Sequence, residues 1–320
     1  MADRETAGGA EGVLVVDKPI GPTSHDVVAI VRRLSGVRRV GHGGTLDPFA
    51  AGVLPVFLGR ATRMVEYHLG DEKAYRAVMV FGARSTTDDL DGELTPLDGP
   101  APTRAAVEAA LGALQGVIEQ TPPIYSAVRI GGRHAYDLAR HGETPELKAR
   151  TVTIHQIDVI DWDVADPDRP AATVELRCSA GTYVRAIARD AGAALGTGAY
   201  LGALVRTASG PFRRDASHPL DEVRDYLTSG RVQELLLPAD SGLDAYPVVR
   251  VDADGLAGLA RGQIVRLRGE TMPTPGPAGL VRVLAADGRL AAMARVDGGR
   301  LHPEKVFVEP PAASGTPAPA

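Results

Sequence analysis

Apolar and polar positions change period along this chain, and each change marks an element. Gly12 to Asp17 (GVLVVD) is an almost unbroken apolar run of strand length, ended by the turn residues Lys18, Pro19 and Gly21. The period then becomes helical. Val27, Ile30, Val31 and Leu34 share one stripe, Thr23 stands at the N-cap, and Asp26, three residues on, completes a capping box. Tyr75 to Gly82 alternates as a half-buried strand, and Thr103 to Gly116 reads as a capped helix closed by its terminal glycine. Arg150 to Trp162 and Thr173 to Ser179 form two strands facing each other across the turn-rich Asp166 to Pro170, and Thr182 to Leu195 is a helix. Beyond Pro238 to Pro247 the runs shorten to Val248–Val251, Gln263–Leu267, Leu280–Ala285 and Leu290–Val296. Asp287-Gly288 is a hairpin signal between the last two.

Together these elements predict an α+β chain with a largely antiparallel sheet over residues 12–240 and a small all-β module over 247–309. There is no heptad run and no repeat at fixed period. Residues 1–11, acidic and Gly/Ala-rich, and residues 310–320, rich in Pro, Ala, Gly and Ser, are expected to be disordered.

Composition sharpens the picture in three places. The 320 residues with 44% hydrophobic content suffice for one large domain and an appendage. The single Cys178 permits no internal disulfide, which fits a reducing compartment; Met1 to Glu11 has no apolar core of signal-peptide length, and nowhere are there about 18 consecutive apolar residues. A cytoplasmic monomer without a membrane partner is the expectation. The net charge of −5 argues against a nucleic-acid ligand until its distribution is read. Between Arg32 and Arg63 six arginines face one acid, Asp47, and between Arg177 and Arg214 six more face one acid, Asp190. An acidic body with two basic segments suits a polyanion held at one surface.

The most informative stretch is Val40 to Val56 (VGHGGTLDPFAAGVLPV). Glycines at 41, 43 and 44 let backbone approach closely, and Asp47-Pro48 reads as a helix start with proline at the first position. An isolated Asp-Pro is usually no more than a cap. Here the carboxylate lies between Leu46 and Phe49, poor surroundings for a surface cap.

Several motifs in fixed order carry a resemblance. Lys18-Pro19, Gly21, Thr23 to Asp26, Gly41 to Pro48, Gly52, Gly59 to Thr62, Lys73 to Arg76, Pro122 to Ala127 (PPIYSA), Gly132 to Arg140 (GRHAYDLAR) and Cys178 to Arg189 (CSAGTYVRAIAR) resemble the TruB family of tRNA pseudouridine synthases over roughly residues 12 to 215. The C-terminal part resembles a PUA-like RNA-binding module more weakly. The resemblance implies a pseudouridine synthase fold and isomerisation of uridine 55 in the TΨC arm of tRNA, with no cofactor and no metal. It implies that Asp47 is the essential carboxylate, attacking either ribose or uracil, and that Arg185 is its ion-pair partner. Tyr75 would stack on the everted uracil, Tyr183 and Leu204 would line the pocket, and His42 would fill the space the nucleotide leaves. Arg38, Arg39, Arg60, Arg63, Arg129 and Arg206 are the candidates for backbone phosphates. Two positions depart from the family pattern. Its Thr-Asp-Thr segment is Ser85-Thr86-Thr87 here, with Asp88, Asp89 and Asp91 nearby, and its lysine is replaced by Arg129, which keeps charge but changes geometry.

Two other readings compete. The run Asp88, Asp89, Asp91, Glu93 superficially suggests a cation loop, though it lacks full loop spacing and no His pair supports it. A non-catalytic tRNA chaperone would use the same basic segments and would not need Asp47.

Overall fold

The computed structural model describes residues 9–126, 128–141, 143, 146–267 and 273–308. Most of the two terminal stretches expected to be disordered therefore lies outside the described residues. The exception is at 9–11: Ala10 is already buried in the core, and Glu11 receives Arg60 Nε at 2.6 Å.

An 11-stranded mixed sheet organises the chain. Its main path runs His218–Pro219, Gly12–Lys18, Ala51–Leu58, Ala199–Ser209, Lys73–Phe81, Ala171–Cys178, Arg150–Asp163, Gly116–Gln120. All neighbours on that path are antiparallel except the first pair and the central pair, Ala51–Leu58 beside Ala199–Ser209. That central parallel ladder joins only Val205 to Ala51 and Arg206 to Gly52. The two halves of the sheet thus meet over two residue pairs. Gly52 has φ +105°, and a Cβ there would overlap the Arg206 backbone, so only glycine allows this crossing.

Helices cover the sheet where their apolar stripes dictate. Ser24–Ser35 has the capping box at Thr23 and Asp26 and ends at Gly36 in the left-handed conformation. Val27, Val28 and Val31 pack against Leu14, Val16 and Leu54. Val184–Leu195 buries small residues, and Gly192 lies so close to the Gly198–Ala199 backbone that a side chain would overlap it. This close packing carries Arg185 into the interior.

Two expected elements need correction. The helix after Thr103 spans Arg104–Gly112, and Gly116 opens the edge strand Gly116–Gln120. Pairing with Arg150–Ile154 decides this, a long-range partner that no local pattern reveals. The C-terminal module is not all-β. Its five-stranded sheet, in the order Val248–Arg250, Leu280–Leu284, Leu290–Asp297, Arg300–Val306, Val265–Arg266, is accompanied by the helix Ala253–Ala260. Asp252 caps that helix through Gly255 N, and its alanines and glycines gave too weak an apolar stripe to be read. The Asp287-Gly288 hairpin is present, with Gly288 at φ +84° and Leu284 opposite Leu290.

The module shares a core with the main sheet. Phe307, Leu280 and Met293 pack in one cluster with Phe57, Met64 and Phe212. Arg63 adds a hydrogen bond to Val306 O and places its guanidinium 5.2 Å from the Phe307 ring centroid. Among the described residues no helix is long and apolar enough to cross a membrane.

Candidate active site

The sheet junction is also where the chemistry-bearing residues converge. After the short strand Val40–His42, the segment Gly43 to Ala50 enters it as a loop held from three sides. Ser24 Oγ, buried at the start of its helix, accepts from Leu46 N at 2.8 Å and reaches Leu46 O at 3.2 Å. Gly21 N donates to Pro48 O at 2.8 Å. Arg206 donates through Nη2 to Gly44 O at 3.1 Å and through Nη1 to Thr45 O at 3.2 Å.

Asp47 sits at the tip of this loop. The expected helix start is not found, because Ala50 N returns to Asp47 O at 3.1 Å and the chain turns directly into the Ala51–Leu58 strand. Asp-Pro here opens a tight turn, with proline's fixed φ in its second position. The turn leaves the Asp47 side chain 34% exposed while its Oδ2 lies 2.9 Å from Arg185 Nη2.

Arg185, its side chain only 5% exposed, spends both terminal nitrogens on acceptors, while its buried Nε has none. Beyond Asp47 it meets Asp89 Oδ2 at 3.2 Å, Thr87 O at 3.1 Å and Tyr125 O at 2.9 Å. Burial raises the pKa of Asp89 above the ordinary carboxylate value, with Thr87 and Arg185 acting the other way. One buried cation thus stands between a partly exposed carboxylate and a buried one. The neighbouring Asp88 is likewise raised by burial and is held by Arg189 Nη1 at 3.0 Å. Two carboxylates of the acidic run that suggested a cation loop, Asp88 and Asp89, are therefore engaged with guanidinium groups, and among the described residues no three His, Cys, Asp or Glu are grouped to hold a metal. Thr86, the departure from the family pattern, closes its turn by accepting from Glu93 N at 3.0 Å.

Tyr75 lies on the inward face of Lys73–Phe81, in the same cluster as Leu46, Val184 and Leu204. Burial raises the pKa of its hydroxyl, which lies against Arg206. Tyr183 precedes Arg185 at the helix N-cap, with the Arg150 guanidinium 4.4 Å above its ring. His42 is half-buried, and burial, then Arg206 and His25, lower its pKa; its Nδ1 accepts from Gly44 N at 3.3 Å. Burial thus disfavours the charged form of the ring.

The basic segments divide in two. Arg38, Arg39 and Arg129 are exposed. Arg60 pairs with Glu11, and Arg63 is turned to the C-terminal module. Arg206 does not face a ligand at all: it is 1% exposed and its third bond runs from Nε to Val53 O at 2.8 Å. Arg206 is therefore no phosphate-contacting candidate: it is consumed inside the fold, as Arg185 is, while Arg189, 31% exposed, is engaged by Asp88 and Asp190. The signal was present in the sequence, since Leu204, Arg206 and Ala208 alternate on one strand face.

Two further cations were not singled out. Lys18, fully buried, donates to Pro22 O at 2.8 Å and Pro19 O at 3.0 Å, and burial lowers its pKa to about 8 although Asp47 opposes the shift. Lys73 donates to Asp71 O at 2.8 Å and is likewise lowered to about 8 by burial. Lys73 stands one period-two step before Tyr75, so extending that strand's alternation identifies it as inward-facing.

A buried guanidinium bridging a half-exposed carboxylate, beside an aromatic ring at a sheet junction, defines a class of site suited to charge stabilisation at an inserted ring. Comparison with known proteins gives the particular family. Residues 32–184 match the TruB family pseudouridylate synthase N-terminal domain, and residues 185–244 match the tRNA pseudouridylate synthase B C-terminal domain. The chain is 46% identical over 305 residues to tRNA pseudouridine synthase B of Thermobifida fusca, covering 93% of this chain and 99% of that protein. It is 44% identical over 301 residues to the protein of that name from Bradyrhizobium diazoefficiens, covering 92% and 85%. A solved H/ACA RNP bound to a substrate RNA containing 2′-deoxyuridine aligns with TM-score 0.68 at 25% identity, covering 93% of this chain and 86% of that one. A Cbf5-Nop10-Gar1 complex aligns at 0.67 and 27%, covering 93% and 85%. The chain belongs to the TruB family of pseudouridylate synthases, and its mixed sheet is the pseudouridine synthase fold.

Proposed function

We propose that this protein isomerises uridine 55 in the TΨC loop of tRNA to pseudouridine, with Asp47 as the catalytic carboxylate. The observation that carries the reading is the 2.9 Å contact between Asp47 Oδ2 and a buried Arg185, at a loop tip that still exposes the carboxylate. Arg185 engages one oxygen, leaving Oδ1 for the reacting nucleoside. The target base is stacked within the folded RNA and reaches Oδ1 only by eversion, at a cost of a few kcal/mol. Stacking on Tyr75 returns roughly 1 to 3 kcal/mol of this. Leu204 and Tyr183 bound the pocket, and His42 occupies the gap left in the loop. Within the pocket the N1–C1′ bond breaks, uracil turns, C5 bonds to C1′, and the C5 proton is lost as N1 gains one. The reaction is an isomerisation with no net redox change. Exposed Arg38, Arg39 and Arg129 meet the backbone phosphates, and the C-terminal module extends the RNA surface.

The test is Asp47→Asn incubated with unmodified tRNA, with pseudouridine mapped by carbodiimide primer extension. The variant retains tRNA affinity and forms no pseudouridine, whereas wild type modifies position 55. Full turnover by the variant, or modification by wild type elsewhere only, would overturn the reading. A chaperone role alone predicts no modification by either protein.

A further inference from the structure

The most constrained residue in the site is not one that faces the pocket. Arg206 is the largest fully buried side chain among the described residues, burial lowers its pKa, and among those residues no carboxylate forms an ion pair with it. Three main-chain carbonyls satisfy it instead: Val53 at 2.8 Å, Gly44 at 3.1 Å and Thr45 at 3.2 Å. Such an arrangement is a poor source of stability, since a buried cation without a counter-ion bears its full desolvation cost and an apolar side chain of similar volume would not. Its geometry explains its presence. Gly44 and Thr45 are the third and second residues before Asp47, Val53 is the third residue of the strand that Asp47 feeds, and the Tyr75 hydroxyl lies against the same guanidinium. A rigid planar fork with five donors can hold all of these at once, whereas an ammonium cannot. The backbone of Arg206 is itself fixed by its ladder partner Gly52, at the two-residue junction of the half-sheets. Gly44 has φ +138°, and a Cβ there would lie 3.6 Å from Nη1, so the loop comes down directly onto the guanidinium.

We propose that Arg206 is a positioning residue for the isomerisation: by clamping both sides of the Asp47 turn while lying against Tyr75, it fixes the carboxylate relative to the stacking ring. The inference rests on the functional reading above. Displacement of a reacting group by about 1 Å can cost about 10²-fold in rate, and loss of Arg206 removes the hydrogen bonds that hold Gly44 O and Thr45 O beside the Asp47 turn.

The experiment compares wild type, Arg206→Met, Arg206→Lys and the remote core variant Val283→Ala, whose residue is fully buried in the C-terminal sheet. Single-turnover pseudouridine formation with enzyme in excess, tRNA Kd, melting temperature and amide hydrogen exchange over Gly43–Asp47 are measured for each. Arg206→Met loses about 10²-fold or more in rate, Arg206→Lys about 10-fold, both with Kd within threefold of wild type and faster exchange in that loop. Val283→Ala is destabilised but retains rate and loop protection. The proposal is overturned if either arginine variant keeps a wild-type rate, if the loss appears in Kd alone, if exchange over the loop is unchanged, or if Val283→Ala slows to the same degree. Should Arg206→Met fail to fold, Arg206→Lys decides by the same criteria. An active Asp47→Asn would instead remove the functional reading beneath the proposal, so the two failures are distinct.

Discussion

Replacing Arg185 by methionine tests the charge arrangement most directly. The substitution keeps an unbranched side chain of related length but withdraws the donor from Asp47, Asp89 and the carbonyls of Thr87 and Tyr125. The two carboxylates contribute unequally to the cost. Asp47 is 34% exposed and water takes over part of its solvation, so its loss adds little to stability. Asp89 is buried, and removing the partner of a buried charge costs about 3–5 kcal/mol. Asp89 keeps the Thr87 hydroxyl and Asp91 N as donors, which holds the cost to the low end, about 3 kcal/mol. At about 2 °C per kcal/mol for a chain of this size, melting falls by roughly 6 °C. Catalysis suffers more. Loss of a preorganised donor in a sheltered site costs about 10²–10³ in rate. Single-turnover kinetics at a temperature well below the transition, alongside tRNA binding, separate the terms. A variant that keeps its rate but loses tRNA affinity would make Arg185 a phosphate contact and refute the reasoning.

Other outcomes follow from the same geometry. Lys73 has a folded-state pKa lowered from 10.5 to about 8, so the unfolded chain binds more protons between those values and stability due to this group rises with pH across that window. The stability difference between wild type and Lys73→Met should therefore shift in favour of wild type by about 3 kcal/mol from pH 8 to 10.5, measured by denaturant melts; a flat or reversed trend contradicts the burial argument. Phe307→Ala removes a ring shared by the main sheet and the C-terminal module, and should cost about 3 kcal/mol and expose the module to limited proteolysis before the main sheet. An unchanged digestion pattern would show that the module is not held by this core. Arg38→Ala should weaken tRNA binding and reduce the salt slope of log Kd by about 0.7 to 0.9 for the lost phosphate contact, read from binding at several salt concentrations; an unaltered slope removes Arg38 from the interface.

Much of the architecture could be read locally. The first strand, the capped helix after Thr23 and the 287–288 hairpin depend on interactions within a few residues, and each formed as its pattern predicted. Gly116 failed because a glycine after a helical stretch closes a helix or opens a strand equally well, and the choice was made by Arg150–Ile154, more than thirty residues away. Asp47-Pro48 failed similarly: the dipeptide permits a helix start or a turn, and the Ala51 strand, held by Gly12–Lys18, selected the turn.

The sequence by itself determined which residue types the chemistry can draw on and their order: an aspartate in a glycine-rich loop, a tyrosine on an alternating strand, arginines on a helix and a strand. Only the tertiary structure decided which charges remain available. Arg206, Arg185 and Arg189 carry the same formal charge as Arg38, yet the fold spends the first on three carbonyls and the others on carboxylates. Net charge is a sum over residues, whereas electrostatic availability depends on burial and partners. Strand alternation hints at burial, but the partners are fixed by contacts between segments as far as 162 residues apart, as between Arg206 and Gly44, and no local pattern encodes them.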